Sequence, residues 1–574
     1  MTRTPKACLL ILLLAGLAPG SAPAAVPAKG GEAAVDAIFR EYDRPDGPGC
    51  SVAVIDGGKV VFQKDYGMAN VSLGVPRSRT TSHWIPYSEA RVFVALAVAL
   101  LAREGELGLD DPVRQHLPEL PEYASEVTVR HLLHHTSGLA DYGVLDYAFD
   151  SMHTRVSEDE FFRVLHRWGR LGFAPGQDGM YSNTDYALLK MLVERVSGGS
   201  LHAFLQARVL GPLGMADTRI GADQATVHPG HTLFYEAPGD GGGQVLSYRS
   251  SPTGGISVTT HLDDLVRWDA GLRDPELGLG ALLASLEPGA PETGADADAD
   301  GQRFSFGMHR RSYRGLPVVA YHGVGNYAYL VQVQGSPLSV ATLCNAYPGM
   351  DRFGFDVAHL FAASAGDPGS AVEAAVSPDA PAPPGPPVEL SPSELAQYAG
   401  SYRTASRGFT ADFRVVGNRL QFTPRGGDPF PLLTPVGEGR FTTDHLGSTF
   451  LLTFTADEQG MRMSAWDLTR NEPGGEDLLR WTPPAWPTQE RMAGYAGTYE
   501  GVDVDATLFV RVQGERVFVA SRGRAELELE PGDQADHFNG PDIYTSRFER
   551  DAQGRVVALV LDARRVQGIR YRRR

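Results

Sequence analysis

Ser88 begins an apolar stretch of the chain that continues to Leu101. The length and composition of this stretch predict a buried helix that is too short to cross a membrane. A serine hydroxyl on the first turn would lie near the positive end of the helix, where an attacking alkoxide and a developing oxyanion are both stabilised. Serine is also a common helix cap, and on this stretch alone capping is the favoured interpretation.

The surrounding run, residues 84–97, resembles the nucleophile segment of the serine beta-lactamase and penicillin-binding-protein family, with Arg91 in place of the lysine of the S-x-x-K motif. Further segments resemble motifs of that family in the same order, including a block close to R-x-L-L-x-H-T-S-G-L. The resemblance implies an α/β (α+β) beta-lactamase-like transpeptidase fold, in which helices flank an antiparallel sheet. It covers about residues 34–361, and the further segments are residues 104–113, 127–139, 173–176, 181–183, 211–218 and 254–265.

The same resemblance implies a set of catalytic and binding residues. Ser88 would be the nucleophile, and its backbone N–H would form the oxyanion hole together with that of Gly325. Tyr181 and Asn183 would supply a phenol and an amide from the family's Y-x-N motif. His322 would occupy the basic position of an H-x-G-G form of the K-T-G element.

The segment after His322 departs from the family pattern at Val324. Gly323 and Val324 would line the strand along which a substrate lies. The family has glycine at the second of these positions, so a β-branched side chain is expected to narrow the approach.

Arg91 removes the usual proton acceptor, because a guanidinium stays charged in proteins. If Tyr181 points toward Ser88 as the resemblance implies, a nearby Arg91 cation would lower the pKa of the phenol by roughly 1 to 3 units from about 10. Tyr181 would then be the general base. The competing interpretation is a catalytically impaired pseudo-hydrolase that binds an envelope or peptide ligand, with Arg91 gripping a carboxylate or filling the lysine's space.

The intact motif residues favour the enzyme over the pseudo-hydrolase. We therefore expect a serine hydrolase that acts through an acyl-enzyme on a D-amino-acid peptide, a beta-lactam or a small ester. A third interpretation is a β-domain adaptor whose front domain is only a scaffold. The pocket loops are not defined by these motifs, so the substrate is left open.

Three closely spaced histidines, His131, His134 and His135, raise the question of a metal site. Neither carboxylates nor cysteines are spaced to complete a tetrahedral ligand set with them. We therefore predict structural packing beneath the cleft, no metal and no cofactor.

Composition narrows the partners. The 574 residues are 42% hydrophobic, which indicates a folded chain. Their net charge of −17 argues against nucleic acid as a partner. We expect a small-molecule or peptide substrate, and the oligomeric state is open. Residues 1–25 resemble a cleaved export signal, and no later segment is apolar enough to span a membrane, so a periplasmic or secreted protein is expected.

Export leaves Cys50 and Cys344 in the mature chain. In the family fold the first and last strands of the hydrolase domain would pair, which would bring these two cysteines near each other. Because the geometry of a disulfide is demanding, free buried thiols are favoured over a disulfide.

The C-terminal third predicts two further units. Residues 366–388 form a Pro- and Ala-rich linker that ends the hydrolase domain of residues 26–365. The octapeptide at residues 395–402 is echoed at residues 492–499, and each copy precedes short alternating segments. Residues 389–483 and 484–574 are therefore predicted to be two small all-β domains, which resemble the lipocalin-like barrels of D-aminopeptidase-type relatives.

Overall fold

The structure is a computed structural model of the chain. It describes residues 30–81, 83–85, 91–148, 157–221, 230–236, 245–246, 257–286, 308–321, 328–347, 353–364, 381–404, 410–424, 430–437, 439–445, 448–457, 460–468, 472–473, 477–481, 487–521, 526–532, 534–540, 543–563 and 566–574. The predicted export signal and most of the predicted linker lie outside these residues.

The predicted hydrolase domain contains helices on both sides of a sheet. Its described helices are α1 (Gly30–Phe39), α2 (Arg91–Glu104), α3 (Val129–Leu133), α4 (Tyr142–Ala148), α5 (Glu158–Trp168), α6 (Asn183–Ser197), α7 (Leu201–Leu205), α8 (Leu262–Arg273), α9 (Leu279–Ser285) and α10 (Phe353–Ser364). Its described strands are β1 (Cys50–Asp56), β2 (Lys59–Tyr66), β3 (Met68–Asn70), β4 (Val75–Pro76), β5 (His83–Ile85), β6 (Arg219–Ile220), β7 (Phe234–Glu236), β8 (Val245–Leu246), β9 (Val258–Thr260), β10 (Met308–Tyr313), β11 (Leu316–Tyr321), β12 (Ala328–Val333), β13 (Leu338–Cys344) and β14 (Ala346–Tyr347).

Six strands form the central sheet in the order β10-β11-β12-β13-β1-β2, and each neighbouring pair is antiparallel. The predicted fold class, an antiparallel sheet flanked by helices, is confirmed. One apolar core contains α2 and α6, and a second packs α1 and α10 against the other face. Helix α2 is buried from Arg91 to Leu101. Its sequence is uninterruptedly apolar from Val92 to Leu101, as burial on all sides requires.

The first and last strands of the sheet in chain order, β1 and β13, are neighbours within it, and Cys50 lies directly opposite Cys344. The two sulfur atoms form a disulfide, so the prediction of free thiols was wrong. Side chains directly opposite each other on antiparallel strands share a face and lie close together. The strand register therefore supplies a proximity that the two cysteines, 294 residues apart in sequence, do not reveal.

Two β units follow the hydrolase domain, which confirms that prediction. The first contains α11 (Pro392–Leu395) and a nine-stranded sheet of β15 (Gly400–Thr404), β16 (Thr410–Val416), β17 (Arg419–Pro424), β18 (Thr434–Gly437), β19 (Arg440–His445), β20 (Ser448–Asp457), β21 (Gly460–Asp467), β22 (Glu472–Pro473) and β23 (Leu478–Trp481). The second contains α12 (Gln489–Ala493) and a closed barrel of β24 (Gly497–Gly501), β25 (Thr507–Gln513), β26 (Arg516–Ser521), β27 (Leu527–Pro531), β28 (His537–Asn539), β29 (Ile543–Arg550), β30 (Val556–Ala563) and β31 (Val566–Arg573).

The repeated octapeptide has the same structure in both units. In the first, the Tyr402 hydroxyl donates a hydrogen bond of 2.9 Å to the backbone oxygen of Tyr398. In the second, the Tyr499 hydroxyl donates one of 2.6 Å to the backbone oxygen of Tyr495. All four tyrosines are buried, so each repeat places the same tyrosine pair at the entry to its first strand.

The closed barrel packs against helices α4 and α5 of the hydrolase domain. Ala140, Leu145 and Trp168 are buried in the same apolar cluster as the barrel residues Tyr495 and Ile569. The hydrolase domain and the barrel therefore share one core at this boundary. Within the described part of the chain, none of the helices has the length and apolar content to cross a membrane.

Candidate active site

Part of the predicted site lies outside the described residues, namely Ser88 and the segment of His322, Gly323, Val324 and Gly325. Their predicted roles stay predictions. Helix α2 begins at Arg91, three residues after Ser88 in the sequence. The described part of the site is formed by the start of α2, the start of α6 and the loops that follow α3.

Arg91 lies against two tyrosine rings, that of Tyr181 just before α6 and that of Tyr186 in α6. Its guanidinium carbon is 4.1 Å from the centre of the Tyr181 ring and 5.4 Å from that of Tyr186. The Arg91 residue is only 6% exposed. Since a desolvated cation over an aromatic face is attracted by the ring electrons, this contact holds the positive charge beside Tyr181.

Backbone hydrogen bonds between two motif segments set the position of Tyr181. The Met180 N–H donates to the His135 oxygen at 2.9 Å, and the Gly172 N–H donates to the Gly138 oxygen at 2.7 Å. Gly138 has a φ of +73°, and a Cβ there would lie 2.1 Å from the backbone oxygen of Phe173. Glycine is therefore required where the H-T-S-G-L block meets the F-x-P-G segment.

Asn183 is oriented by a carboxylate that the sequence analysis did not identify. Its side-chain Nδ2 donates to Asp141 at 3.0 Å to Oδ2 and 3.3 Å to Oδ1. Its Oδ1 thus faces the Tyr181 hydroxyl, which donates to it at 3.4 Å. Asp141 is fully buried and also accepts from the Gly143 N–H at the start of α4. An aspartate just before a helix start is a capping signal, which could have singled out this residue.

A buried histidine and aspartate lie beneath Tyr181, and the sequence analysis did not pair them. The His135 ring centre is 4.8 Å from that of Tyr181. Its Nδ1 is 2.9 Å from Asp185 Oδ2, while the Ser137 hydroxyl donates to Asp185 Oδ1 at 2.5 Å. Burial raises the pKa of the Asp185 carboxyl well above its ordinary value, although the Ser137 hydrogen bond opposes this shift.

The three histidines of the motif block have different surroundings. His131 completes a capping box with Thr128 at the start of α3. His134 is buried, and burial lowers its pKa to about 4. His135 contacts Tyr181 and Asp185. Among the described residues, no three His, Cys, Asp or Glu side chains gather into a group that could hold a metal ion.

Two other motif segments meet away from the tyrosines. The Thr218 hydroxyl donates to Asp264 Oδ2 at 2.7 Å and lies 2.9 Å from the Thr260 hydroxyl. Asp264 is fully buried and pairs with Arg267 at 2.6 Å. This contact fixes α8 to the preceding strand β9, so Thr218 and Thr260 of these motifs have a structural role.

The comparisons with known proteins agree with this architecture. A family model described as "Beta-lactamase" matches residues 35–364. The chain is 35% identical over 171 residues to "Penicillin-binding protein 4*" of Bacillus subtilis (strain 168), covering 30% of this chain and 37% of that protein. It is 26% identical over 321 residues to "D-aminopeptidase" of Gluconobacter oxydans (strain 621H), covering 55% of this chain and 58% of that protein.

These matches span less than two thirds of the length of either curated relative. A solved structure, that of "the octameric penicillin-binding protein homologue from Pyrococcus abyssi", is similar in fold, with a TM-score of 0.50 and 21% identity. That similarity covers 79% of this chain and 99% of the other.

Proposed function

Because the chain belongs to the beta-lactamase family, whose model matches more than half of it, we propose that it is an exported serine hydrolase that forms an acyl-enzyme on Ser88. The observation that carries this proposal is the contact between the buried Arg91 guanidinium and the Tyr181 ring. With this contact, Tyr181 would replace the missing lysine as the proton acceptor, and Arg91 would not have to accept a proton.

Tyr181 is the proposed general base. A cation held beside the ring stabilises the phenolate form, because an opposite charge within about 4–6 Å favours ionisation. The phenolate would take the proton of the Ser88 hydroxyl as its oxygen attacks the carbonyl carbon of the substrate. The proton would then pass from Tyr181 to the leaving group, so the base is restored when the acyl-enzyme forms.

Asn183 and the K-T-G-like segment would bind the substrate. The Asn183 amide is held by Asp141, so its orientation is fixed before a substrate arrives. The backbone N–H groups of Ser88 and Gly325 would stabilise the oxyanion, and His322 would provide a basic side chain. Val324 would narrow the substrate approach.

The proposed substrates contain an amide or ester bond. They are D-amino-acid peptides, beta-lactams or small esters. The relatives named above support this range, since one is called a penicillin-binding protein and another a D-aminopeptidase. Export is proposed from the signal-like residues 1–25 together with the Cys50–Cys344 disulfide. Disulfides of this kind persist in oxidising compartments such as the periplasm.

The burial of Arg91 also bears on the pseudo-hydrolase. A guanidinium that grips the carboxylate of a ligand must be accessible to it, whereas Arg91 is 6% exposed and lies against two rings. A pseudo-hydrolase would therefore use Arg91 to fill space and not to bind.

Intact-mass spectrometry separates the two functions. The mature protein is exposed to a fluorophosphonate and to a penicillin, beside Ser88→Ala and Arg91→Lys. Arg195→Lys is the matched control, because Arg195 forms an exposed ion pair with Glu119 outside the site. We expect one adduct on the native protein and on Arg195→Lys, and none on Ser88→Ala. An adduct found only on Arg91→Lys would identify a disabled hydrolase.

A further inference from the structure

The His135–Asp185 pair has two mutually exclusive hydrogen-bonding states. Both Asp185 Oδ2, at 2.9 Å, and the backbone N–H of Ser182, at 3.2 Å, approach the same atom, His135 Nδ1. An imidazole nitrogen holds either a hydrogen atom or a lone pair in the ring plane. It can therefore donate to Asp185 or accept from Ser182, but it cannot do both at once.

These two states differ in charge. When Nδ1 carries the hydrogen and donates to an ionised Asp185, the neutral imidazole and the carboxylate together carry one negative charge. When Asp185 itself holds an additional proton and the imidazole carries its hydrogen on Nε2, Nδ1 keeps its lone pair for Ser182 and the pair is neutral. The difference is one proton exchanged with solvent.

The charge of this pair affects Tyr181 because His135 and Arg91 both contact the Tyr181 ring. The His135 ring lies 4.8 Å from the Tyr181 ring, and the Arg91 guanidinium lies 4.1 Å from it. A negative His135–Asp185 pair offsets the positive charge of Arg91, whereas a neutral pair leaves that charge to stabilise a phenolate.

We propose that the His135–Asp185 pair is a one-proton switch that decides whether the charge of Arg91 is available to stabilise the Tyr181 phenolate. This role rests on the proposed function of Tyr181 as the base. His135 and Asp185 are positioning residues, since neither would touch the substrate.

The groups that face Asp185 favour a proton exchange of this kind. The carboxyl is fully buried at the start of α6, and the Asp141 carboxylate before α4 disfavours its ionisation. Arg91 on α2 and the Ser137 hydroxyl after α3 favour its ionisation. Burial and Asp141 thus favour the neutral carboxyl, whereas Arg91 and Ser137 favour the carboxylate.

The test is a pH titration of tyrosine ¹³Cζ signals by NMR, in which the Tyr181 signal is assigned by its loss in Tyr181→Phe. Asp185→Asn removes the negative state, and its amide can donate to His135 Nδ1. We expect the Tyr181 midpoint to fall by about one pH unit, which is a tenfold change in ionisation, because a like charge near the ring is removed.

Two further variants make the result decisive. Ser137→Ala removes the hydroxyl that stabilises the ionised carboxyl, so it should shift the Tyr181 midpoint in the same direction by a smaller amount. Asp264→Asn is the control, because Asp264 is equally buried and accepts from a threonine hydroxyl away from Tyr181. A folded Asp185→Asn protein with an unchanged midpoint overturns the switch. If Asp185→Asn does not fold, an unchanged midpoint in Ser137→Ala overturns it.

The NMR titration does not depend on Ser88 reactivity. A shifted midpoint without any Ser88 adduct from a fluorophosphonate or a penicillin would support the switch and refute the proposed hydrolase. Acylation with an unshifted midpoint would support the hydrolase and refute the switch.

Discussion

Arg91 changes which group could accept the proton of Ser88, the proposed nucleophile. A lysine can lose its charge transiently, whereas a guanidinium stays charged and contributes only its electrostatic field. In this chain that field acts on the face of the Tyr181 ring, and the Tyr181 hydroxyl is turned toward Asn183. The proposed function therefore assigns the proton chemistry to Tyr181 and the charge stabilisation to Arg91.

This division predicts a large effect of Tyr181→Phe. The variant keeps the ring that contacts Arg91 but removes the hydroxyl. Phosphonylation of Ser88 by a fluorophosphonate, the probe reaction that stands in for acylation, should therefore slow by roughly 10²- to 10⁴-fold, the usual contribution of a general base. The rate is measured by the growth of the adduct in intact-mass spectra.

Tyr123→Phe provides the comparison for this experiment. The Tyr123 hydroxyl donates to a backbone oxygen at 2.8 Å away from the site, so its loss should leave the acylation rate within about threefold. Equal rates for Tyr181→Phe and the native protein would exclude Tyr181 as the base.

At the scale of elements, strands β1 and β13 of the central sheet are joined by backbone hydrogen bonds and by a covalent bond. Strand β1 lies between β13 and β2 and is buried along its whole length. The disulfide of Cys50 and Cys344 closes a loop that contains the predicted nucleophile and the described site residues. Loss of this bond should therefore weaken the whole domain and not one edge of the sheet.

We expect the double variant Cys50→Ala with Cys344→Ala to lose roughly 2–5 kcal/mol of unfolding free energy, as is typical when a native disulfide is removed. Denaturant unfolding of the native and variant proteins measures the difference. A reducing agent should lower the stability of the native protein and leave the double variant unchanged. Equal stability of the oxidised native protein and the variant would contradict the prediction.

At the scale of the whole molecule, the loop and helix start at residues 140–145 connect the closed barrel to the candidate site. Ala140 and Leu145 pack into the core of the barrel, while Asp141 between them holds Asn183. At the same boundary Arg170 stacks 3.8 Å from the Trp168 ring and donates to the barrel oxygen of Gly568 at 2.8 Å. The barrel thus supports the loop that orients the site.

Trp168→Ala tests this support. Truncating a buried tryptophan costs about 3–5 kcal/mol, so the variant should separate the thermal transitions of the barrel and the hydrolase domain in calorimetry. It should also slow the acylation of Ser88 several-fold, because the apolar cluster that joins residues 140 and 145 to the barrel loses its tryptophan.

Trp466→Ala is the matched variant, since Trp466 is equally buried in the first β unit and outside this boundary. It should lower the stability of that unit without slowing acylation. The same slowing in both variants would mean that Trp168 acts only through general stability.

The sequence by itself determined the family, the fold class and the two β units. Ordered motifs, apolar stretches and a repeat are local patterns, which can be recognised without knowing which residues are in contact. It also identified Arg91, Tyr181 and Asn183 as residues of one site. Only the tertiary structure decided that Cys50 and Cys344 are bonded, that Asp141 orients Asn183, and that His135 meets Asp185 beneath Tyr181. These contacts join residues 42 to 294 positions apart. They depend on strand register and helix packing, which fix the distances and directions that a sequence pattern does not contain.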